Sequence, residues 1–238
     1  MIANLRLSLR LLALVATLLA ALAIHGLWRL FRLPSPWPRL FLGSVARIVG
    51  ARVRVVGTPL RRDVMFLANH LSWIDILAIA GATGSAFVAK GELARVPLVG
   101  WLCTLNRTIF VAREDRLQVA AQIARLRDAI GAGWGVTIFP EGTTGDGTAL
   151  LPFKASLLAA LDPPPPGLMV QPIRVDYGAA TGELAWVGDE PGQAHALRVL
   201  RRRRTFRVTL HLLEPFDPAV IGNRKAIAAE ARARIAAA

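Results

Sequence analysis

The chain has 238 residues, 54% of them hydrophobic, enough to bury one sizeable core, which excludes a disordered segment or a small stapled scaffold. Its 29 basic residues against 16 acidic ones leave a formal charge of +13. Such a surface attracts anionic partners; a membrane or an acidic carrier fits better than nucleic acid, since the chain has no zinc-finger spacing or aromatic RNA-binding signature.

Residues 11–24, LLALVATLLAALAI, are apolar except for Thr17, with Arg6 and Arg10 before them and Arg29 and Arg32 after. A spanning helix needs about 20 such residues. Cationic flanks on both sides also suit a helix that enters one leaflet or lies in the interface. No clear A-x-A cleavage pattern follows, which favours a retained anchor over a signal peptide. After PSPWP at 34–38, the segment RLFLGSVARIVG reads as a second apolar helix. Residues 1–50 are therefore expected to be membrane-anchoring helices, and 51–238 one α/β domain.

RVRVVG alternates as a strand does, and from there strands and helices take turns. Strands are predicted at 64–68 (VMFLA), 86–89 (AFVA), 108–112 (TIFVA), 136–139 (VTIF) and 169–175 (MVQPIRV), with a late one in FRVTLHLLEPF. The clearest helix is 115–133, DRLQVAAQIARLRDAIGAG, with apolar spacings of three and four and a glycine stop; 218–237 read as one closing helix. The expected fold is α/β, with a mostly parallel central sheet flanked by helices.

The polar residues fall in register with that map. His70, Lys90, Arg113 and Glu141 each follow a predicted strand directly or by two positions. The C-terminal edge of an open α/β sheet is where ligands bind, so residues distant in sequence can converge there. Within NHLSWID, residues 69–75, His70 and Asp75 would point about 140° apart on one continuous helix. If His70 lies in the loop and Ser72 caps a helix starting at Trp73, Asp75 faces back toward the imidazole and orients it as a general base. The plainer reading is a variant capping box with His70 as a loop residue.

FPEGTTGDG, residues 139–147, offers a carboxylate, backbone amides and hydroxyls in one turn, and Lys154 adds a cation. Taken alone it is an ordinary glycine-rich turn. With a histidine base it suits acyl transfer from a thioester to a hydroxyl, and no G-x-S-x-G elbow or Walker A sequence offers another chemistry. Cys103, the single cysteine, reads as a core thiol, and His25, His195 and His211 lack metal-ligand spacing. The arginine run at 197–207 reads as a solvated segment, an anionic-lipid contact or a dock for acidic acyl carrier protein.

Together these stretches resemble the glycerolipid acyltransferase family that includes lysophosphatidic acid acyltransferases. NHLSWID resembles its N-H-x4-D block, KGELARVPLVGWL followed by TIFVAR its second block ending in arginine, FPEGTT its third, and VQPI at 170–173 its fourth. The resemblance covers roughly residues 50–215 and implies His70 as catalytic base and Asp75 as its orienting partner. It implies Arg113, Glu141, Gly142 and Thr143 as the acceptor phosphate site, with Lys90 and Lys154 as further candidate contacts. It implies acyl-CoA or acyl carrier protein as cosubstrate, no metal or prosthetic group, and an N-terminal helical pair docked in the membrane. Arg107 and Ala112 depart from the second block, which commonly has a glycine and an acidic residue there. The expected reaction acylates 1-acyl-sn-glycerol 3-phosphate to phosphatidic acid in phospholipid biosynthesis, at the cytoplasmic face of a bacterial inner membrane. FPEGTTGDG followed by LLPFK also resembles bacterial relatives that acylate lyso-ornithine lipid, whose acceptor carries no phosphate. The reading of a different class is a noncatalytic lipid-binding membrane protein.

Overall fold

A computed structural model describes residues 2–111 and 116–238. The strands are β1 (Ala51–Val56), β2 (Val64–Ala68), β3 (Ala86–Lys90), β4 (Ile109–Val111), β5 (Val136–Ile138), β6 (Met169–Asp176) and β7 (Phe206–Leu212). They form one sheet in the order β1-β7-β6-β2-β5-β3-β4. Every neighbouring pair is parallel except β6–β7. The expected α/β class with a mostly parallel sheet therefore holds, with β1 and β7 running against the rest.

VMFLA forms the central strand β2 because all five residues are apolar and buried, as a strand covered on both faces requires. Alternation then sorts the core. Phe66 and Ala68 face one layer, built from α2 (Trp37–Val49), α3 (Ile74–Thr83) and α7 (Gly192–Arg201). Met65 and Leu67 face the other, built from α5 (Arg116–Gly131), the 3-10 segment Ala155–Leu161 and α9 (Arg224–Ala237). The remaining helices are α1 (Ile2–Leu30), α4 (Pro97–Leu105), α6 (Thr181–Leu184) and α8 (Pro218–Ile221). Helices α2 and α3 approach closely where Gly43 meets Gly81; a Cβ on Gly81 would lie 2.8 Å from the Gly43 Cα.

Two expectations are corrected. The closing segment is two helices, α8 and α9, because Gly222 turns the backbone at φ 104 and Asn223 caps α9 by accepting from the amides of Lys225 (3.0 Å) and Ala226 (3.1 Å). Helix α3 begins at Ile74, one residue later than expected.

Helix α1 includes Asn4–Leu30, whose most apolar 18-residue window has mean hydropathy 2.3, long and apolar enough to cross a membrane. Its leucines at 5, 9, 12, 19, 27 and 30 are exposed. At its N-terminal end it is bolted to the domain. Arg10 donates to the carbonyls of Val199 (3.2 Å) and Leu200 (2.8 Å), and Arg6 to that of Arg201 (3.2 Å), so the two arginines cover the carbonyl end of α7.

Candidate active site

Strand β2 ends at Ala68 while β6 continues to Asp176, and Asn69 closes the gap. Its side chain donates to the Val175 carbonyl (3.0 Å) and accepts from the Val175 amide (2.7 Å), extending the β2–β6 pairing by one residue through a side chain. The chain then leaves the sheet at His70 and enters α3. Ser72 Oγ accepts from the Ile74 amide (3.1 Å), while Asp75 Oδ2 accepts from the amides of Leu71 (2.6 Å) and Ser72 (3.0 Å). These bonds make a capping-box variant.

The same Asp75 oxygen lies 2.9 Å from Nδ1 of His70. The capping and dyad readings of NHLSWID thus coexist. The 140° conflict of a continuous helix never arises, because His70 precedes α3. A carboxylate only accepts, so Nδ1 carries the proton and Nε2 is left as the accepting nitrogen. Asp75 is fully buried at 0% exposure, whereas the His70 side chain is 17% exposed. Donors on both oxygens offset the burial of the carboxylate, since Oδ1 accepts from the hydroxyl of Tyr177.

The loop after β5 grips His70 from the other side. Glu141 Oε1 accepts from the His70 amide (3.1 Å) and Oε2 from the Leu151 amide (3.3 Å), and the Gly145 amide donates to the His70 carbonyl (2.8 Å). Phe139 stacks on the imidazole, with ring centroids 3.8 Å apart. Glu141 is itself buried, and that burial raises its carboxyl above the ordinary value against the opposing pull of the two amides.

His70, Asp75, Glu141 and Gly142 are thus brought together, because β2 and β5 are neighbours. Gly142 sits at φ 70 with its amide bonded to the Phe139 carbonyl (3.0 Å). Thr143 is exposed, and Thr144 donates its hydroxyl to the Trp186 carbonyl. Lys154 is exposed and tied to the same turn through its amide and the Pro140 carbonyl (2.7 Å). Lys90 closes β3, separated from β2 by β5, and Arg113 lies outside the described residues.

Tyr177 and Phe139 are contacts the sequence reading does not single out. Tyr177 lies 102 residues from Asp75, and its only signal is a lone tyrosine directly after a strand. Phe139 is visible only as the last apolar residue before Glu141. His195 is buried, with Nδ1 accepting from the Trp73 indole (2.9 Å) and Nε2 donating to the Leu184 carbonyl (3.0 Å), a structural arrangement. Among the described residues no group of three or more His, Cys, Asp or Glu side chains is placed to hold a metal.

A family model described as Acyltransferase matches residues 52–176, the span from β1 through β6 that contains His70, Asp75, Phe139 and Glu141. The chain belongs to the acyltransferase family. This acyltransferase is 34% identical over 248 residues to a lyso-ornithine lipid O-acyltransferase of Rhodobacter capsulatus, covering 97% of this chain and 88% of that protein. It is also 34% identical over 121 residues to a 1-acyl-sn-glycerol-3-phosphate acyltransferase of Neisseria gonorrhoeae, covering 50% of this chain and 46% of that one. Its fold resembles the crystal structure of the 1-acyl-sn-glycerophosphate (LPA) acyltransferase PlsC from Thermotoga maritima, with a TM-score of 0.67, 24% identity, and coverage of 99% and 95% of the two chains.

Proposed function

We propose that this acyltransferase moves an acyl group from a thioester to the free hydroxyl of a lysolipid, with His70 as general base. The observation that carries the reading is the Nδ1 contact to Asp75 at 2.9 Å, which leaves Nε2 as the nitrogen able to take a proton. As Nε2 removes the hydroxyl proton, the acceptor oxygen attacks the thioester carbonyl carbon. The tetrahedral intermediate collapses, the carbon–sulfur bond breaks, and the imidazolium returns the proton to the departing thiolate. No side-chain nucleophile is needed.

Lyso-ornithine lipid is the proposed acceptor. Four relatives carrying that name are 31–34% identical over 74–100% of this chain, whereas the two 1-acyl-sn-glycerol-3-phosphate acyltransferases of Neisseria match over 50%. Lysophosphatidic acid is the second reading, supported by those Neisseria relatives at 34% identity over 121 residues. The donor is acyl-CoA or acyl carrier protein, without a metal or prosthetic group. Both oxygens of Glu141 are engaged by amides, which favours a role in holding His70; the acceptor head group then falls to Gly142, Thr143, Lys154, Lys90 and Arg113. We assign residues 1–50 as the membrane-anchoring segment at the cytoplasmic face, with the exposed leucines of α1 in the lipid and α2 joining it to the catalytic domain, 51–238, through buried Ala46 and Val49.

The test is acyl transfer by the detergent-solubilised enzyme, offered labelled lyso-ornithine lipid and lysophosphatidic acid in parallel with each donor. Labelled ornithine lipid, absent with His70→Ala, is the expected product. Phosphatidic acid instead would retain the chemistry and change the acceptor. No donor-dependent product would leave the noncatalytic lipid-binding reading.

A further inference from the structure

Tyr177 is the only tyrosine in the chain, and it is buried at the end of β6. Its ring packs in the core beside Phe206, with centroids 6.3 Å apart, a contact phenylalanine would make as well. A hydroxyl in that setting costs stability unless it is bonded. This one is bonded twice: it donates to Oδ1 of Asp75, and it lies 3.1 Å from Ser72 Oγ.

The directions of these bonds are determined. The Tyr177 hydroxyl has a single proton, and the Asp75 carboxylate, which only accepts, takes it. Ser72 therefore donates to the Tyr177 oxygen and Tyr177 donates to Asp75, a chain polarised toward the carboxylate. Burial first, and then the neighbouring Asp75, raise the phenol well above its ordinary value, so it keeps its proton.

The two oxygens of Asp75 are held differently. Oδ2 takes its bonds from residues 70–72, in the loop just before its own helix, whereas Oδ1 is reached by the residue that follows β6, the strand beside β2. Bonds on one oxygen leave the carboxylate free to rock about it; a donor on the second oxygen fixes its plane. We propose that Tyr177 is a positioning residue for acyl transfer, its hydroxyl locking the Asp75 carboxylate in the plane that aims the His70 imidazole at the acceptor hydroxyl. This rests on the reading of His70 as base.

The experiment compares kcat, KM and the pH dependence of kcat/KM for the full-length enzyme and Tyr177→Phe, with His70→Ala in parallel. Tyr177→Phe should lower kcat about tenfold with KM little changed. With one donor fewer, Asp75 holds an imidazolium more strongly, so the acidic limb of the profile should move up by about one pH unit. A structural role alone would lower Tm and leave kcat per folded molecule and the limb where they were, which overturns the proposal.

Because Tyr177 is the single tyrosine, biosynthetic replacement by 3,5-difluorotyrosine alters this hydroxyl alone and keeps the donor. A more acidic phenol is a stronger donor, so the limb should move downward, opposite to Tyr177→Phe. This arm decides the matter even if Tyr177→Phe does not fold; an unmoved limb overturns the proposal. An active His70→Ala would sink the base reading, whereas an inactive one beside unmoved Tyr177 profiles would sink only the positioning role.

Discussion

The imidazole of His70 lies face to face with the ring of Phe139, with centroids 3.8 Å apart and planes 12° from parallel. The contact to Asp75 fixes one nitrogen of the imidazole, and the stack fixes the plane. Together they set where Nε2 points, which neither does alone. Phe139→Leu keeps an apolar side chain at this position and removes the flat face. It should lower kcat about fivefold with KM nearly unchanged, because misaimed reactive groups lose rate before they lose binding. Steady-state kinetics check this; a kcat equal to the unmutated enzyme's would mean the stack does not orient the base.

Asp75→Asn keeps an oxygen for the Leu71 and Ser72 amides and gives up the charge facing His70. With proton transfer to a positioned base carrying the reaction, the variant should lose about 1,000-fold in kcat. Circular dichroism should stay the same, since the cap of α3 survives. Activity within tenfold of normal would argue that Asp75 serves the helix start alone.

Glu141 predicts a pH dependence of stability. Its carboxyl is raised above the ordinary 4.5, chiefly by burial. A group whose pKa is higher folded than unfolded contributes stability below the unfolded value and loses it as pH rises through the folded one. Glu141→Gln has no such dependence. The Tm of the unmutated enzyme minus that of Glu141→Gln should therefore fall as pH climbs from 4.5 toward neutrality. Thermal scans of both proteins across that window test the sign; a rising difference would refute it.

Arg107 holds its backbone at φ 59, in the left-handed region that glycine adopts without strain. The side chain compensates by stacking its guanidinium 3.9 Å from the centre of the Trp134 ring. Arg107→Ala removes the stack and keeps the strain, whereas Arg107→Gly removes both. The glycine variant should be the more stable of the two by about 1 kcal/mol, read from denaturant midpoints at equal m.

Much of the sheet is legible along the chain because each strand's burial is written in its own residues. VMFLA is a central strand at any reading, and strand β2 occupies the same five positions, 64–68. Helix α5 is legible from its spacing, and its glycine stop falls where the helix ends at Gly131. The closing segment is less so, since a glycine inside an apolar pattern does not announce whether it bends or breaks the helix; Asn223 decided for a break by capping α9. In NHLSWID the pairing of His70 with Asp75 is legible as a spacing, but its geometry depends on where α3 starts.

The residues by themselves determined which segments are strands, the order of the four acyltransferase blocks, and the pairing of a histidine with an aspartate at a strand end. These are local properties, set by alternation, capping chemistry and short spacings. Only the tertiary structure decided that β5 lies beside β2, which places Glu141 and Phe139 against His70, and that β6 lies on the other side, which brings the Tyr177 hydroxyl to Asp75. Strand order depends on how whole layers pack, and no window of sequence around Asp75 contains the tyrosine 102 residues away that completes its hydrogen bonding.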